Sequence, residues 1–316
     1  MVYYRYMSLS ITPRLIIAAA QKKGWKVVTV DEQYDIYYIE LPSGERYYLK
    51  SLNSIKSSVL NGYITKRKDL FYRLLLPLGI PQPITMEYAG DINTAHAFLR
   101  EHQRIVVKPT DQSHGEGITV DITTPEKMKE ALAYAATYSS SLILQKHVVG
   151  DDYRLLFIGG KLAAACIRRP AFVVGDGDHT IRELIEAEND SDSRTDGYQD
   201  TLTTIDFSEA VRYLGETMDT VPGATEEVQV IGTANIGRGG VSIDVTDTVD
   251  RAMIRIAKEV VDHFRIGICG VDFMVDASGK PYLLEVNTSP SLGLHESPFR
   301  GQPRHTPDVF LDWLVS

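Results

Sequence analysis

The chain has 316 residues, 43% of them hydrophobic, enough for a full core and two or three subdomains. A net charge of −9 and a pI near 5.4 leave no basic stripe of the kind nucleic-acid binding needs. The longest N-terminal apolar run, Leu15 to Ala20, is too short to span a bilayer, and Cys166 and Cys269 sit in strand-like apolar runs as buried free thiols, so a cytoplasmic protein is expected.

In chain order, Thr12-Pro13 predicts the cap and first position of a helix with Leu15, Ile16 and Ala19 on its apolar face, ending near Gly24. A strand over 25–30 and a hairpin over 36–50, turning at Pro42-Ser43-Gly44-Glu45, complete a small N-terminal α/β unit, residues 1–65. Met7 offers an alternative start. Asn61-Gly62 predicts a turn, and a helix over 65–76 is closed by Pro77 and Gly79. Lys66, Arg67, Lys68 and Arg73 cluster on it. A solvated helix end accounts for most of them, but cations at a helix N-terminus oppose the dipole and suit an anion.

A strand over 104–108 delivers Lys108, and Asp111 to Gly117 then form a glycine-bearing loop leading into a strand over 118–122. Such a loop can fold over a phosphate through backbone N–H groups, or simply be a tight turn; it lacks the Gly-Lys-Ser/Thr ending of a P-loop. A helix over 124–138 and a strand over 141–145 follow, and 146–150 read as a crossing linker. Strands over 152–158 and 161–167 turn at Gly159-Gly160 and deliver Arg168 and Arg169, whose planar forks suit carboxylate or phosphate unless they only close a hairpin. After a loop at 175–178 and a helix over 181–188, residues 189–223 are polar and read as a mobile lid or insertion. Their Asp residues lack the glycine and glutamate of a calcium loop. A strand over 228–231 leads to the loop Asn235-Ile236-Gly237-Arg238-Gly239-Gly240, and an amphipathic helix spans 251–264.

The segment 270–287 reads as a hairpin. Glu285 and Asn287, two apart, share one face, with Tyr282, Leu284 and Val286 on the other, toward a core. A four-residue loop, 277–280, sets Asp272 opposite Glu285, about 5 Å apart at Cβ; a three-residue loop would separate them. Three converging oxygen donors suit Mg²⁺, which takes one or two carboxylates and completes its shell with water and phosphate oxygens. A solvated acidic face is the alternative.

Lys108-Pro109-Thr110-Asp111-Gln112-Ser113-His114-Gly115-Glu116-Gly117, Asp152-Tyr153-Arg154-Leu155-Leu156, residues 170–177 and Leu284-Glu285-Val286-Asn287 occur in that order. In these motifs, and in the tail residues His295, Pro298, Gly301 and Arg304, the chain from about residue 60 resembles the ATP-grasp superfamily, most closely the ATP-grasp domains of cyanophycin synthetases and bifunctional glutathione synthetases. The resemblance implies an α+β ATP-grasp fold, two α+β subdomains sandwiching ATP, with a lid subdomain at 66–144 and a second at 145–316. It implies that Lys68 and Lys108 meet the phosphates under the loop of His114, Gly115 and Gly117. Gln145, Lys146 and Val148 would line the adenine, and Asp152 would take the ribose. Asp272, Glu285 and Asn287 would hold Mg²⁺, or Mn²⁺ in its place, while Arg154, Arg168, Asn235, Arg238 and Ser289 would surround the acyl substrate. Lys108, Arg168 and Arg238 would be catalytic.

The implied activity is an ATP-dependent carboxylate-amine ligase joining amino acids or short peptides through an acylphosphate. Alternatives are a glutathione synthetase-like ligase using a γ-glutamyl dipeptide and glycine, or an ATP-binding interaction protein without turnover. The partners implied are small molecules and a second copy of the chain. Three departures stand out: Gln145 replaces the usual glutamate at the adenine linker, Ile231 stands where cyanophycin synthetases carry an arginine, with Arg238 as a substitute charge, and no second, Mur-type ligase domain follows.

Overall fold

The computed structural model describes residues 9–112, 115–191, 194, 203–232, 234 and 239–316. The N-terminal unit is α1 (Ile11–Lys22) over an antiparallel sheet of β1 (Lys26–Asp31), β2 (Ile36–Glu40) and β3 (Arg46–Lys50), in that order. Helix α1 starts two residues earlier than predicted, with Ser10 in the extended cap position. Thr12 is not the cap: its hydroxyl accepts a hydrogen bond from the Leu292 amide at 3.1 Å, and Pro13 lies in the first turn, where its missing N–H costs nothing.

Next come α2 (Val59–Lys66) and α3 (Lys68–Leu75). The turn predicted at Asn61-Gly62 is a helix interior. Ser58 caps α2 by accepting from the Asn61 amide, and Asn61 Nδ2 donates to the Phe264 carbonyl at 2.9 Å, a contact 203 residues away that no local pattern could announce. Arg67, in extended geometry, separates the two helices, so Lys68 opens α3.

A four-stranded antiparallel sheet of β4 (Thr85–Tyr88), β5 (Ile105–Pro109), β6 (Thr119–Ile122) and β7 (Leu142–Lys146), ordered β4-β7-β5-β6, carries α4 (Ile92–His102) and α5 (Pro125–Ala136) on one face. Phe98, Met128 and Leu132 pack there against Ile105, Val107 and Leu144. The sequence reading assigned no element to the stretch holding β4 and α4, although Asp91 caps α4 by accepting from the Asn93 amide.

The remainder holds β8 (Gly150–Ile158), β9 (Lys161–Arg169), β10 (Phe172–Val174), α6 (Ile181–Asn189), α7 (Phe207–Leu214), β11 (Glu227–Gln229), β12 (Val241–Asp244), α8 (Arg251–His263), β13 (Ile268–Asp276), β14 (Pro281–Asn287), α9 (Gly293–Glu296) and α10 (Thr306–Leu314). Five of the strands form an antiparallel sheet, β12-β9-β8-β13-β14. Residues alternate between its faces. Leu155, Phe157, Val271 and Phe273 pack on α3 and α8, while Leu156, Ile158, Ala164 and Ile268 pack on the N-terminal unit and on Phe310 and Leu311 of α10. Because Phe71 and Leu75 belong to the first of these cores, α3 is built into the five-stranded half of the molecule.

Residues 189–223 are described at 189–191, 194 and 203–223. Their described part is no bare polar excursion: Ile205, Ala210 and Met218 join Ala171, Val173, Ile181, Ile185 and Val230 in a separate core beside the β10-β11 pair. Phe207, Ala210, Val211 and Leu214 recur at helical spacing in α7, but a helix this short makes a brief pattern. Among the described residues, no helix is long and apolar enough to cross a membrane, and both cysteines are free and buried.

Candidate active site

Asp272 does lie opposite Glu285, by a route other than the predicted one. The turn amides and carbonyls pair Asp276 with Lys280, leaving a three-residue loop, with Gly279 in the left-handed region at φ +83°. Val275, Met274 and Phe273 then face Pro281, Tyr282 and Leu283, which alone would set Asp272 opposite Leu284, one residue short of Glu285. A bulge at Leu284 inserts one residue and restores the pairing. The core side of β14 is therefore Leu283 and Val286, both buried, rather than Tyr282, Leu284 and Val286.

On the face shared with Asp272, β8 and β9 place Asp152, Arg154 and Arg168. Arg154 grips Asp272 with both arms of its fork, Nε to Oδ1 and Nη2 to Oδ2, and Arg168 Nη2 donates to Asp272 Oδ2 at 2.9 Å and to Asp152 Oδ1 at 2.6 Å. Two cations and two anions thus balance in a site where Asp272 is only 2% exposed. Burial alone would raise the Asp272 carboxyl, but Arg154 and Arg168 outweigh it and hold the pKa below the usual range. Asp152 goes the other way: burial lifts it despite Arg168, and the Asp272 charge adds to the rise. Gly270 is required here. A Cβ on it would stand 2.6 Å from Arg154 Cδ, so only glycine lets the arginine cross β13.

Glu285 and Asn287 follow on the same face, Asn287 opposite Gly270, with Asn287 Oδ1 accepting from the Ser289 amide at 2.9 Å. The Glu285 side chain is 38% exposed and lies 3.8 Å from Lys68 Nζ. Among the described residues no group of three His, Cys, Asp or Glu is spaced to hold a metal ion. A cation would instead use the open Glu285 carboxylate, the Asn287 amide and phosphate oxygens, a donor set that fits Mg²⁺. Asp272 would border it with three of its lone pairs already committed to arginine.

Two lysines converge from the other side. Lys68 Nζ donates to the Gln112 carbonyl at 2.7 Å, at the root of the glycine loop. Lys108, buried at 6% exposure, donates to Gln145 Oε1 at 2.9 Å and to the Tyr72 hydroxyl at 3.0 Å. Burial lowers the pKa of Lys108 to about 8 against the pull of Glu285, and lowers that of Lys68 as well, with Lys108 adding to the fall. Gln145 explains its own substitution: its amide oxygen holds Lys108 and its nitrogen donates to Thr85 Oγ1 at 2.8 Å, so the side chain braces the lysine. Lys146 is exposed, its amide donating to the Ile84 carbonyl, and Val148 is half-buried. In the loop, Gly115 and Gly117 both have positive φ, and a Cβ on Gly117 would meet Pro109 Cγ at 2.7 Å. His114, Asn235 and Arg238 lie outside the described residues. The sequence reading passed over Tyr72, whose only signal was a polar tip at a buried helix position.

A profile described as the ATP-grasp domain matches residues 66–291. The cyanophycin synthetase of Trichormus variabilis is 30% identical over 98% of this chain, and the glutathione biosynthesis bifunctional protein of Enterococcus faecalis is 29% identical over 96%. The chain spans only 36% and 42% of those proteins, respectively. The crystal structure of a bifunctional glutathione synthetase from Pasteurella multocida superposes with a TM-score of 0.73 at 24% identity, over 98% of this chain and 45% of that one, which shows the fold. With the profile matched over most of its length and the two-sheet architecture in place, this chain belongs to the ATP-grasp family.

Proposed function

We propose that the chain is an ATP- and Mg²⁺-dependent ligase that joins a carboxylate to an amine, using amino acids or short peptides and releasing ADP and phosphate. The observation that carries this is the convergence of Lys68 and Lys108 on the face where Glu285 and Asn287 stand beside the Asp152-Arg168-Asp272-Arg154 network. A carboxylate is a poor electrophile until phosphorylated. Its oxygen attacks the γ-phosphorus of ATP, the bond to ADP breaks, and an amine then displaces phosphate from the acylphosphate carbonyl, losing its proton. Glu285 and Asn287 would hold Mg²⁺, which would supply charge neutralisation on the phosphates.

The protein's part is positioning. Lys68 and Lys108 are aligned to take the transferred phosphoryl charge, and both sit in a dry setting where a cation counts for more than in water. Arg168 and Arg154, pinned by Asp152 and Asp272, present fixed donors to the acyl carboxylate; Asn235, Arg238 and Ser289 are assigned to the same pocket. Gln145, Lys146, Val148 and Asp152 are assigned to the nucleoside. The loop through His114, Gly115 and Gly117 closes over the phosphates and excludes water that would hydrolyse the intermediate. No side-chain nucleophile is needed. The buried thiols, both raised to about 12 by burial, suit a reducing, cytoplasmic setting and take no part.

The test is phosphate release from ATP and Mg²⁺ across pairs of amino acids, with γ-glutamyl dipeptide plus glycine as one pair. Amine-dependent release supports ligation and names the substrates. ATP binding without release for any pair replaces the ligase with a binding module.

A further inference from the structure

Tyr72 is buried on α3 at 4% exposure, yet its hydroxyl joins two polar groups from different sheets. It accepts from Lys108 Nζ of β5 and donates to the Leu284 carbonyl of β14 at 2.5 Å. Leu284 is the bulged residue that restores the pairing of Asp272 with Glu285. A phenylalanine ring would fill the same volume, so packing does not account for the oxygen. A hydroxyl has one proton, and here its direction is fixed: an ammonium can only donate and a carbonyl only accept, so the chain runs from Lys108 through Tyr72 to Leu284. Burial raises the Tyr72 phenol to about 12, which keeps that proton in place at neutral pH.

We propose that Tyr72 is a positioning residue of the ATP site, a single hydroxyl that fixes both the phosphate-facing ammonium of Lys108 and the β14 bulge that sets the metal-site register. This rests on the ligase reading. Without the oxygen, Lys108 keeps Gln145 but loses its second acceptor and swings within a space that Lys68 and Glu285 also face. The Leu284 carbonyl, deprived of its donor, favours moving the bulge along β14, and a one-residue slip turns Glu285 to the opposite face.

The experiment is binding of a fluorescent ATP analogue to the full chain and to Tyr72→Phe, each with and without Lys108→Met. In the absence of Mg²⁺, Tyr72→Phe weakens binding about tenfold, and by less than twofold when Lys108 is already methionine. The Mg²⁺ concentration for half-saturation of phosphate release rises several-fold in Tyr72→Phe. An equal loss in both lysine backgrounds, or an unchanged Mg²⁺ requirement, overturns the proposal. Wild-type protein that binds no ATP removes the ligase reading itself, and is told apart from the other outcomes by that fact. If Tyr72→Phe does not fold, 3-fluorotyrosine at position 72, a weaker acceptor of the same shape, reads the Lys108 contact: unchanged metal-free affinity overturns the proposal, and weaker affinity supports it.

Discussion

Gly270→Ala tests the arginine network from the backbone side. The new methyl carbon would stand 2.6 Å from Arg154 Cδ, 3.1 Å from Arg154 Nε and 3.2 Å from Pro290 Cβ. Strand β13 cannot yield, because Gly270 is paired with Leu156 on one side and Asn287 on the other. Arg154 therefore has to leave, and with it two charge-assisted hydrogen bonds to a carboxylate that is 2% exposed. Breaking a buried ion pair costs about 3–5 kcal/mol; Arg168 stays on Asp272, so the lower end, about 3 kcal/mol, applies. At about 2–4 °C per kcal/mol for a protein of this class, the melting temperature falls by about 6–12 °C. Scanning calorimetry reads the shift, and amine-dependent phosphate release falls at least about tenfold, the equivalent of ~1.4 kcal/mol. Arg154→Met, whose flexible stem yields to the methyl, removes most of the added cost of Gly270→Ala in a double-mutant cycle. A melting temperature within about 1 °C of wild type for Gly270→Ala, or full additivity with Arg154→Met, refutes the account of Gly270 as the passage for Arg154.

Other consequences are equally direct. Glu285→Gln and Asn287→Ala abolish phosphate release while circular dichroism stays unchanged; near-normal turnover in either removes the metal assignment. Lys108 acts as a cation, so kcat/KM for ATP declines with an alkaline limb near its pKa of about 8, and Lys108→Gln loses that limb along with most activity. The stability sign is opposite: between about 8 and the ordinary lysine value near 10.4 the unfolded chain holds the proton the folded one has released, so this group's contribution to stability rises with pH. His295, buried with its pKa lowered to about 3 by burial, works in the acid range. From pH 6.5 down toward 3 the unfolded imidazole binds a proton that the folded one does not. Stability falls there by up to about 1.4 kcal/mol per pH unit. Urea unfolding at pH 6 and pH 4 should show a smaller drop for His295→Gln than for wild type, and equal drops would refute it.

The hairpin shows which parts of such a site a sequence can carry. Alternation placed Asp272, Glu285 and Asn287 on one face, and the structure agrees, but through a three-residue loop and a bulge where an unbulged four-residue loop was expected. The two routes are equivalent for Asp272 and Glu285 because one residue removed from the turn is one residue added in the strand. They are not equivalent for the core, where Leu283 replaces the expected Tyr282 and Leu284. The bulge is invisible locally because one of its partners, the Tyr72 hydroxyl, lies 212 residues away on α3. Asn61 inside α2 and the arginines on Asp272 were hidden for the same reason. Period, caps and glycine loops are properties of short windows, and they recovered most strands and helices of the ATP-grasp frame. The unpredicted features are pairwise polar contacts across the fold, each satisfying a buried group that would otherwise cost about 1–3 kcal/mol. The register of the proposed metal site belongs to that second kind: β14 carries Glu285 and Asn287, but a hydroxyl from another helix bonds the carbonyl of the bulge that sets Glu285 opposite Asp272.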